Sequence, residues 1–273
     1  MISVTIGSAS HIGMEKAENQ DYCSYHIPAS GAESKKGTLL ALADGMGGMG
    51  GGSLASRIAV DTFMETYYND TSANITDSLK KGFLKANKEV IDKGAEHVET
   101  ARMGSTLTAV VITKNKMYYS HVGDSRGYLI YGNEITQFTE DHSYVTSMVM
   151  AGVITAEEAE THPDRHVITK AIGLEAELTV DAAPIDRQLE KNLYILLCCD
   201  GLHGVVSDEV MVSTLTEYRE PDVVAEKLVD KANENGGPDN ITVLIARIDK
   251  IDLISSVTNR LLDLAKLHLK PTS

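Results

Sequence analysis

The sequence predicts an α+β fold in which two antiparallel β-sheets pack face to face as a sandwich flanked by helices, an αββα arrangement. Two observations lead there. Strand-like runs come in groups, with pairs of helical segments between the groups, and this is not the regular βαβ alternation of a parallel sheet. In addition, 42% of the 273 residues are hydrophobic, enough to fill a sizeable core.

The elements follow in order. Residues 2–6 alternate as a short strand, and Lys16, Glu18, Asn19 and Asp21 lie in a polar turn before a second strand over 22–27. A polar connection over 28–36 leads into a buried strand over 38–43, which runs into Asp44-Gly45-Met46-Gly47-Gly48, a glycine-rich turn that leaves the carboxylate in unobstructed backbone. Leu54, Ala55, Ile58, Ala59, Phe63 and Met64 fall at helical spacing over 53–68, and a second helix is expected over 75–97. Strands return over 105–113, 116–122 and 127–131, the last closed by a Gly132-Asn133 turn. Residues 141–163 are helical but interrupted at Gly152, which reads as an appended subdomain or lid. Strands near 178–183 and 193–199, helices over 207–218 and 221–235, and a strand over 240–249 complete the set. A last helical segment over 251–269 carries Ile254, Val257, Leu261, Leu264 and Leu267 on one stripe; it either packs on its own domain or offers a partner surface.

Composition excludes several functions. Tryptophan is absent and aromatics are 5%, so there is no platform for stacking bases. The net charge of −14 repels nucleic acid and anionic membranes and favours cations or basic partners. Cys23, Cys198 and Cys199 are odd in number, and two are adjacent within an apolar run, which predicts reduced thiols rather than a disulfide framework or a zinc site. The first residues lack a basic region followed by an apolar one, and no run of 18 apolar residues occurs, so a cytoplasmic protein with no membrane contact is expected.

Five aspartates stand at predicted strand ends or turns: Asp21, Asp44, Asp124, Asp200 and Asp239. Each alone is more often a turn former or cap than a ligand. Together they form an all-oxygen set without paired histidines, which selects a hard divalent ion such as Mg²⁺ or Mn²⁺ rather than zinc. Without such ions the carboxylates would repel one another.

Eight ordered motifs lie within a match that runs over about residues 2–248: Asn19-Gln20-Asp21, Ala43-Asp44-Gly45-Met46-Gly47-Gly48, Gly104-Ser105-Thr106-Leu107, Gly123-Asp124-Ser125-Arg126, Thr139-Glu140-Asp141-His142-Ser143, His162-Pro163-Asp164-Arg165, Cys199-Asp200-Gly201-Leu202 and Gly237-Pro238-Asp239-Asn240-Ile241-Thr242. On these the chain resembles the metal-dependent serine/threonine protein phosphatases of the 2C type, in their bacterial form. The resemblance implies a catalytic domain over 1–249, with a flap over about 141–173 near the substrate channel and a C-terminal helical extension over 250–273. It implies a binuclear Mn²⁺ or Mg²⁺ centre, with Asp44 bridging, Asp200 and Asp239 on the first ion, and the Gly45 carbonyl with Asp21 on or beside the second. Asp124, sharing Asp200, would hold a weaker third ion. Two such ions lower the pKa of a shared water and stabilise phosphoryl oxygens, so no protein nucleophile is needed and the cysteines are not expected to act as one.

The chain departs from the family pattern at two functional positions. Lys16 stands where arginine normally clamps the phosphate, supplying charge without a planar fork. Met49 stands where a histidine is assigned to protonate the leaving alkoxide, which a thioether cannot do; water or His142 would then supply the proton. Ser53, where glutamate is common, is a milder change. Two functions therefore stay open: hydrolysis of phosphoserine and phosphothreonine in proteins, or a pseudophosphatase that binds phosphoproteins without turnover. The expected partners are phosphorylated proteins and a cytoplasmic serine/threonine kinase or its targets, and the expected state is a monomer.

Overall fold

Strand-forming runs pair across long sequence distances into two sheets. The computed structural model describes residues 2–29, 33–48, 51–97, 100 and 102–251. Along the chain the elements are β1 (Ile2–His11), β2 (Asp21–His26), α1 (Glu33–Lys36), β3 (Thr38–Met46), α2 (Gly51–Asn69), α3 (Ile75–Gly94), β4 (Gly104–Ser105), β5 (Leu107–Ile112), β6 (Met117–Val122), β7 (Arg126–Tyr131) and β8 (Glu134–Gln137). They continue as α4 (Tyr144–Met150), α5 (Ala156–Glu160), β9 (Asp181–Ile185), β10 (Tyr194–Cys198), α6 (Asp200–His203), α7 (Asp208–Tyr218), α8 (Pro221–Glu234) and β11 (Ile241–Ile251). One sheet has the order β1-β11-β10-β7-β8 and the other β2-β3-β5-β6-β9, with β4 attached to β3. All these pairings are antiparallel.

The central strands are apolar throughout because both faces of each sheet are covered. On β3, Leu40 and Leu42 face the second sheet while Leu39, Ala41 and Ala43 face α2 and α3, where they meet Phe63, Leu79 and Phe83. On β10, Ile195 and Leu197 join the inter-sheet layer, while Leu196 and Cys198 pack beneath α7 and α8 against Met211, Val224 and Leu228. Each fully buried Leu, Ile or Phe contributes about 1.5–3 kcal/mol relative to exposure. The predicted αββα sandwich is therefore what the chain forms.

Three differences from the expected elements have physical causes. A polar connection was expected where α1 forms, and no helix was expected at α6; both are single turns of four residues, too short to show a periodicity. β8 was not expected because its four residues form an edge strand with no fully buried position. The last strand runs two residues beyond the expected end, pairing Ile251 with Ile2. Ile251, expected to open the last helix over 251–269, instead ends the last strand, and Met49 and the rest of that helix lie outside the described residues.

The connections matter most for function. At one end of the sandwich, residues 12–20 carry the chain from β1 to β2 and residues 123–125 carry it from β6 to β7, each crossing from one sheet to the other. The segment after β8 is anchored there by a fork from Arg126 Nε and Nη2 to Asp141 (3.0 and 2.7 Å to Oδ2). Single bridges of Ser143 with Ile168 and of Ser105 with Ile172 tie down its return. Its tip around α4 exposes Met150 and Val153.

Candidate metal centre

Each sheet delivers two carboxylates to this end. Asp21 opens β2 and stands directly opposite Asp44 in the β2–β3 register. Asp200 follows β10 as the first residue of α6, and Asp239 lies just before β11, the strand beside β10. Asp124 comes from the crossing loop between β6 and β7. Like charges placed directly opposite in a ladder are destabilising, so the Asp21–Asp44 pair is stable as two carboxylates only beside positive charge.

The backbone around these groups is over-determined. Asp44 N–H donates to Thr106 Oγ1 (2.8 Å), and Asp44 O accepts from Thr106 N (2.8 Å) and Ser105 Oγ (2.9 Å). Thr106 Oγ1 also meets Ser125 Oγ at 2.8 Å, which links the Asp44 strand to the Asp124 loop. Gly45 N–H donates to Gln20 O at 3.1 Å, and a Cβ on Gly45 would lie only 2.1 Å from Gly52 O, so no larger residue fits there. Asn240 joins the two sheets: its Oδ1 accepts from Gln20 N (2.8 Å), and its Nδ2 donates to Ile12 O (2.8 Å) and Glu18 O (2.9 Å).

Electrostatics record the crowding. Burial, then the neighbouring carboxylates Asp21, Asp200, Asp124 and Asp239, push the Asp44 carboxyl well above its usual range. Burial raises Asp21 to about 6, and burial together with Asp200 and Asp141 raises Asp124 to about 7. Asp200 moves the other way: burial opposes its charge, but His166, His203 and Lys16 hold it below the ordinary value. Both Asp21 oxygens and Asp200 Oδ1 are buried without a hydrogen-bond partner. Buried carboxylate oxygens of this kind call for cations, and an oxygen-rich donor set at two sheet ends suits hard divalent ions. The residues present therefore fit the implied metals.

Lys16, Asp21, Asp44, Gly45, Asp124, Asp200 and Asp239 all lie at this end of the sandwich. Lys16 Nζ pairs with Asp239 Oδ1 at 2.7 Å. Its pKa is raised: partial burial works against the charge, and Asp239, Asp200 and Asp44 outweigh it. Both ring nitrogens of His142 are engaged by groups other than the five converging aspartates. Nδ1 accepts from Gly123 N (3.1 Å), Nε2 faces Asp181 Oδ2 (3.2 Å), and the His142 backbone N–H donates to Gly123 O (2.7 Å), so the residue clasps the Asp124 loop. Without a bound metal the cysteines are thiols: burial pushes Cys23 up to about 11 and lifts Cys198 and Cys199 well above the ordinary thiol range. Ser53 Oγ donates to Glu18 Oε1 at 2.7 Å.

Sequence reasoning assigned no role to Thr106, Asn240 or His166. The first two lie inside recognised motifs, which was the available signal. His166 comes from the return of the segment after β8 and brings Nδ1 to 3.6 Å from Asp200 Oδ2, which raises its pKa. Nothing in the local sequence points to that approach.

Comparisons with known proteins identify the family. The family model for Protein phosphatase 2C matches residues 9–229. Protein phosphatase PhpP of Streptococcus pneumoniae is 34% identical over 250 residues, covering 90% of this chain and 98% of the relative. The crystal structure of the serine/threonine phosphatase PstP/Ppp of Mycobacterium tuberculosis superposes with a TM-score of 0.80 at 32% identity, covering 92% of this chain and 100% of that one. A structure of the PstP catalytic domain in complex with two manganese ions gives a TM-score of 0.76 at 31% identity, with 92% and 100% covered. The chain belongs to the protein phosphatase 2C family and is a serine/threonine protein phosphatase.

Proposed function

We propose that this phosphatase hydrolyses phosphoserine and phosphothreonine in proteins at a binuclear Mn²⁺ or Mg²⁺ centre. Asp44 would bridge the ions, with Asp200 and Asp239 on one and Asp21 and the Gly45 carbonyl on or beside the other; Asp124 with Asp200 would take a weaker third. Bound there, the ions supply an acidified water and charge to balance the phosphoryl oxygens. The strongest support is the in-register opposition of Asp21 and Asp44, with both Asp21 oxygens buried and unpartnered. The two manganese ions of the PstP neighbour support the count.

The chain's own residues hold and orient. Thr106 and Ser105 fix the Asp44 backbone, and Asn240 holds the loop that presents Lys16. Lys16 offers the phosphate a point charge. Residues 1–249 form the catalytic domain in this scheme, residues 141–173 a flap beside the substrate channel, and 250–273 an extension. The setting is cytoplasmic, with the chain acting as a monomer opposite a serine/threonine kinase. Among the described residues no helix is long and apolar enough to cross a membrane.

The test is phosphate release from a phosphothreonine peptide with Mn²⁺, repeated with chelator. Turnover that needs the metal is expected, and Asp44→Asn or Asp200→Asn should abolish it while circular dichroism stays unchanged. Calorimetric Mn²⁺ titration completes it: unchanged stoichiometry in Asp44→Asn would remove Asp44 from the ligand set, and metal bound without turnover would favour a phosphoprotein-binding module.

A further inference from the structure

An all-oxygen donor set leaves out one side chain that the fold places against it. Cys199 ends the apolar run of β10 and turns its fully buried thiol into the layer between the sheets, immediately before Asp200. One ligand atom each from Asp21, Asp44 and Cys199 all lie within 4.8 Å of one another. Two independent features point to a ligand among them. Both Asp21 oxygens are buried with no hydrogen-bond partner, and the Thr242 N–H donates to Cys199 Sγ at 3.1 Å, a contact that strengthens when the sulfur carries negative charge.

We propose that Cys199 is a metal ligand of this chain: with Asp21 and Asp44 it forms a mixed sulfur and oxygen pocket that takes a thiophilic divalent cation of the Zn²⁺ or Co²⁺ class. The inference rests on the assignment of Asp21 and Asp44 as cation ligands. Zinc bonds of about 2.3 Å to sulfur and about 2.0–2.2 Å to oxygen bring donors to roughly 3.6 Å apart around a tetrahedral ion, so side-chain rotation closes the remaining gap. Binding breaks the S–H bond, forms the sulfur–metal bond and releases the proton to solvent; no electrons change hands. The Asn240 carbonyl, which accepts the thiol proton at 3.2 Å, loses that hydrogen bond. A thiolate favours zinc and cobalt over manganese and magnesium. Such an ion occupies the same two carboxylates as the hard ions, so Zn²⁺ excludes Mn²⁺ here more effectively than an oxygen-only set would allow.

The protein, stripped with chelator, is titrated with Co²⁺ and separately loaded with Zn²⁺. A sulfur-to-cobalt charge-transfer band in the near ultraviolet is expected, retained in Cys23→Ser and Cys198→Ser and lost in Cys199→Ser. X-ray absorption on the Zn²⁺-loaded wild type needs no variant to fold and should show a sulfur shell at about 2.3 Å. Only oxygen and nitrogen neighbours around zinc, or a band that survives Cys199→Ser, would overturn the proposal. Mn²⁺ titration of the same preparation separates the two levels. Mn²⁺ bound with no sulfur signal from the thiophilic ions defeats this inference alone, and neither kind of ion bound defeats the assignment of Asp21 and Asp44 as well.

Discussion

At the residue scale, Lys16 and Met49 are the two positions at which the sequence departs from the pattern that the family resemblance implies. The Lys16 ammonium is drawn at once toward Asp239, Asp200 and Asp44, so its attraction for a phosphate competes with its attraction for carboxylates. A guanidinium would divide the task better, because its fork binds a phosphate through two parallel hydrogen bonds. Lys16→Arg should therefore raise kcat/KM on a phosphothreonine peptide, and Lys16→Ala should lower it by about tenfold, the worth of one charge-assisted contact. An unchanged value in Lys16→Ala would put the anchor elsewhere. For the proton, His142 is poorly suited because both ring nitrogens are already engaged, Nδ1 by Gly123 N–H and Nε2 by Asp181. A positioned acid contributes typically ~10²–10⁴-fold for a basic leaving group and little for a phenolate. Met49→His should accordingly accelerate phosphoserine peptide hydrolysis more than p-nitrophenyl phosphate hydrolysis and add a pH limb. Equal effects on both substrates would show that solvent supplies the proton.

At the scale of elements, the site is made by strand ends brought together by two crossing loops, and Asn240 is the joint. Asn240→Ala removes the acceptor for Gln20 N and the donor to Ile12 O and Glu18 O. Leaving such half-buried groups unpaired costs about 1–3 kcal/mol each where water cannot replace the partner. The variant should melt several degrees lower and show faster amide exchange over residues 12–20, with exchange in α3 unchanged; equal acceleration in both would mean a global rather than local loss. This joint also marks what the sequence discloses. Asp44 and Asp200 were legible because each ends an uninterrupted apolar run and precedes glycine, a local pattern. The central strands were legible for the same reason, since burial on both faces writes itself as continuous hydrophobicity. The opposition of Asp21 to Asp44 is a matter of register, and the approach of His166 to Asp200 one of tertiary path, and neither has a local signature. The edge strand β8 and the single-turn helices α1 and α6 were missed because their stability comes from neighbours rather than from their own periodicity.

For the whole molecule, the converging carboxylates make stability depend on pH and on divalent ions together. Asp124, raised to about 7, and Asp44, raised well above its usual 3.8, keep protons in the folded state that the unfolded chain has already released. The folded state thus binds more protons between pH ~4 and the folded values, so stability falls as pH rises through that window. Asp21, at about 6, acts in the same sense. Burial acts oppositely on His121 and His203, lowering both from 6.5 to about 4, so they bind fewer protons when folded and stability gains as pH rises from about 4 to 6.5. The depressed Asp200 contributes stability lost only below 3.8. The histidines offset part of the aspartate effect below pH ~6.5, where their contribution ends; above it Asp124, Asp44 and the raised His166 all act in the falling sense. In chelator, the melting temperature should therefore fall only gently up to about pH 6.5 and more steeply, by several degrees, toward pH ~8. Mn²⁺ neutralises the charge that deprotonation creates, so the melting shift it produces should be larger at pH ~8 than at pH ~6. Calorimetry at those two values, with and without Mn²⁺, gives the comparison. An equal Mn²⁺ shift at both would mean that the carboxylates are already ionised and compensated at the lower pH, and the electrostatic account of the centre would fail.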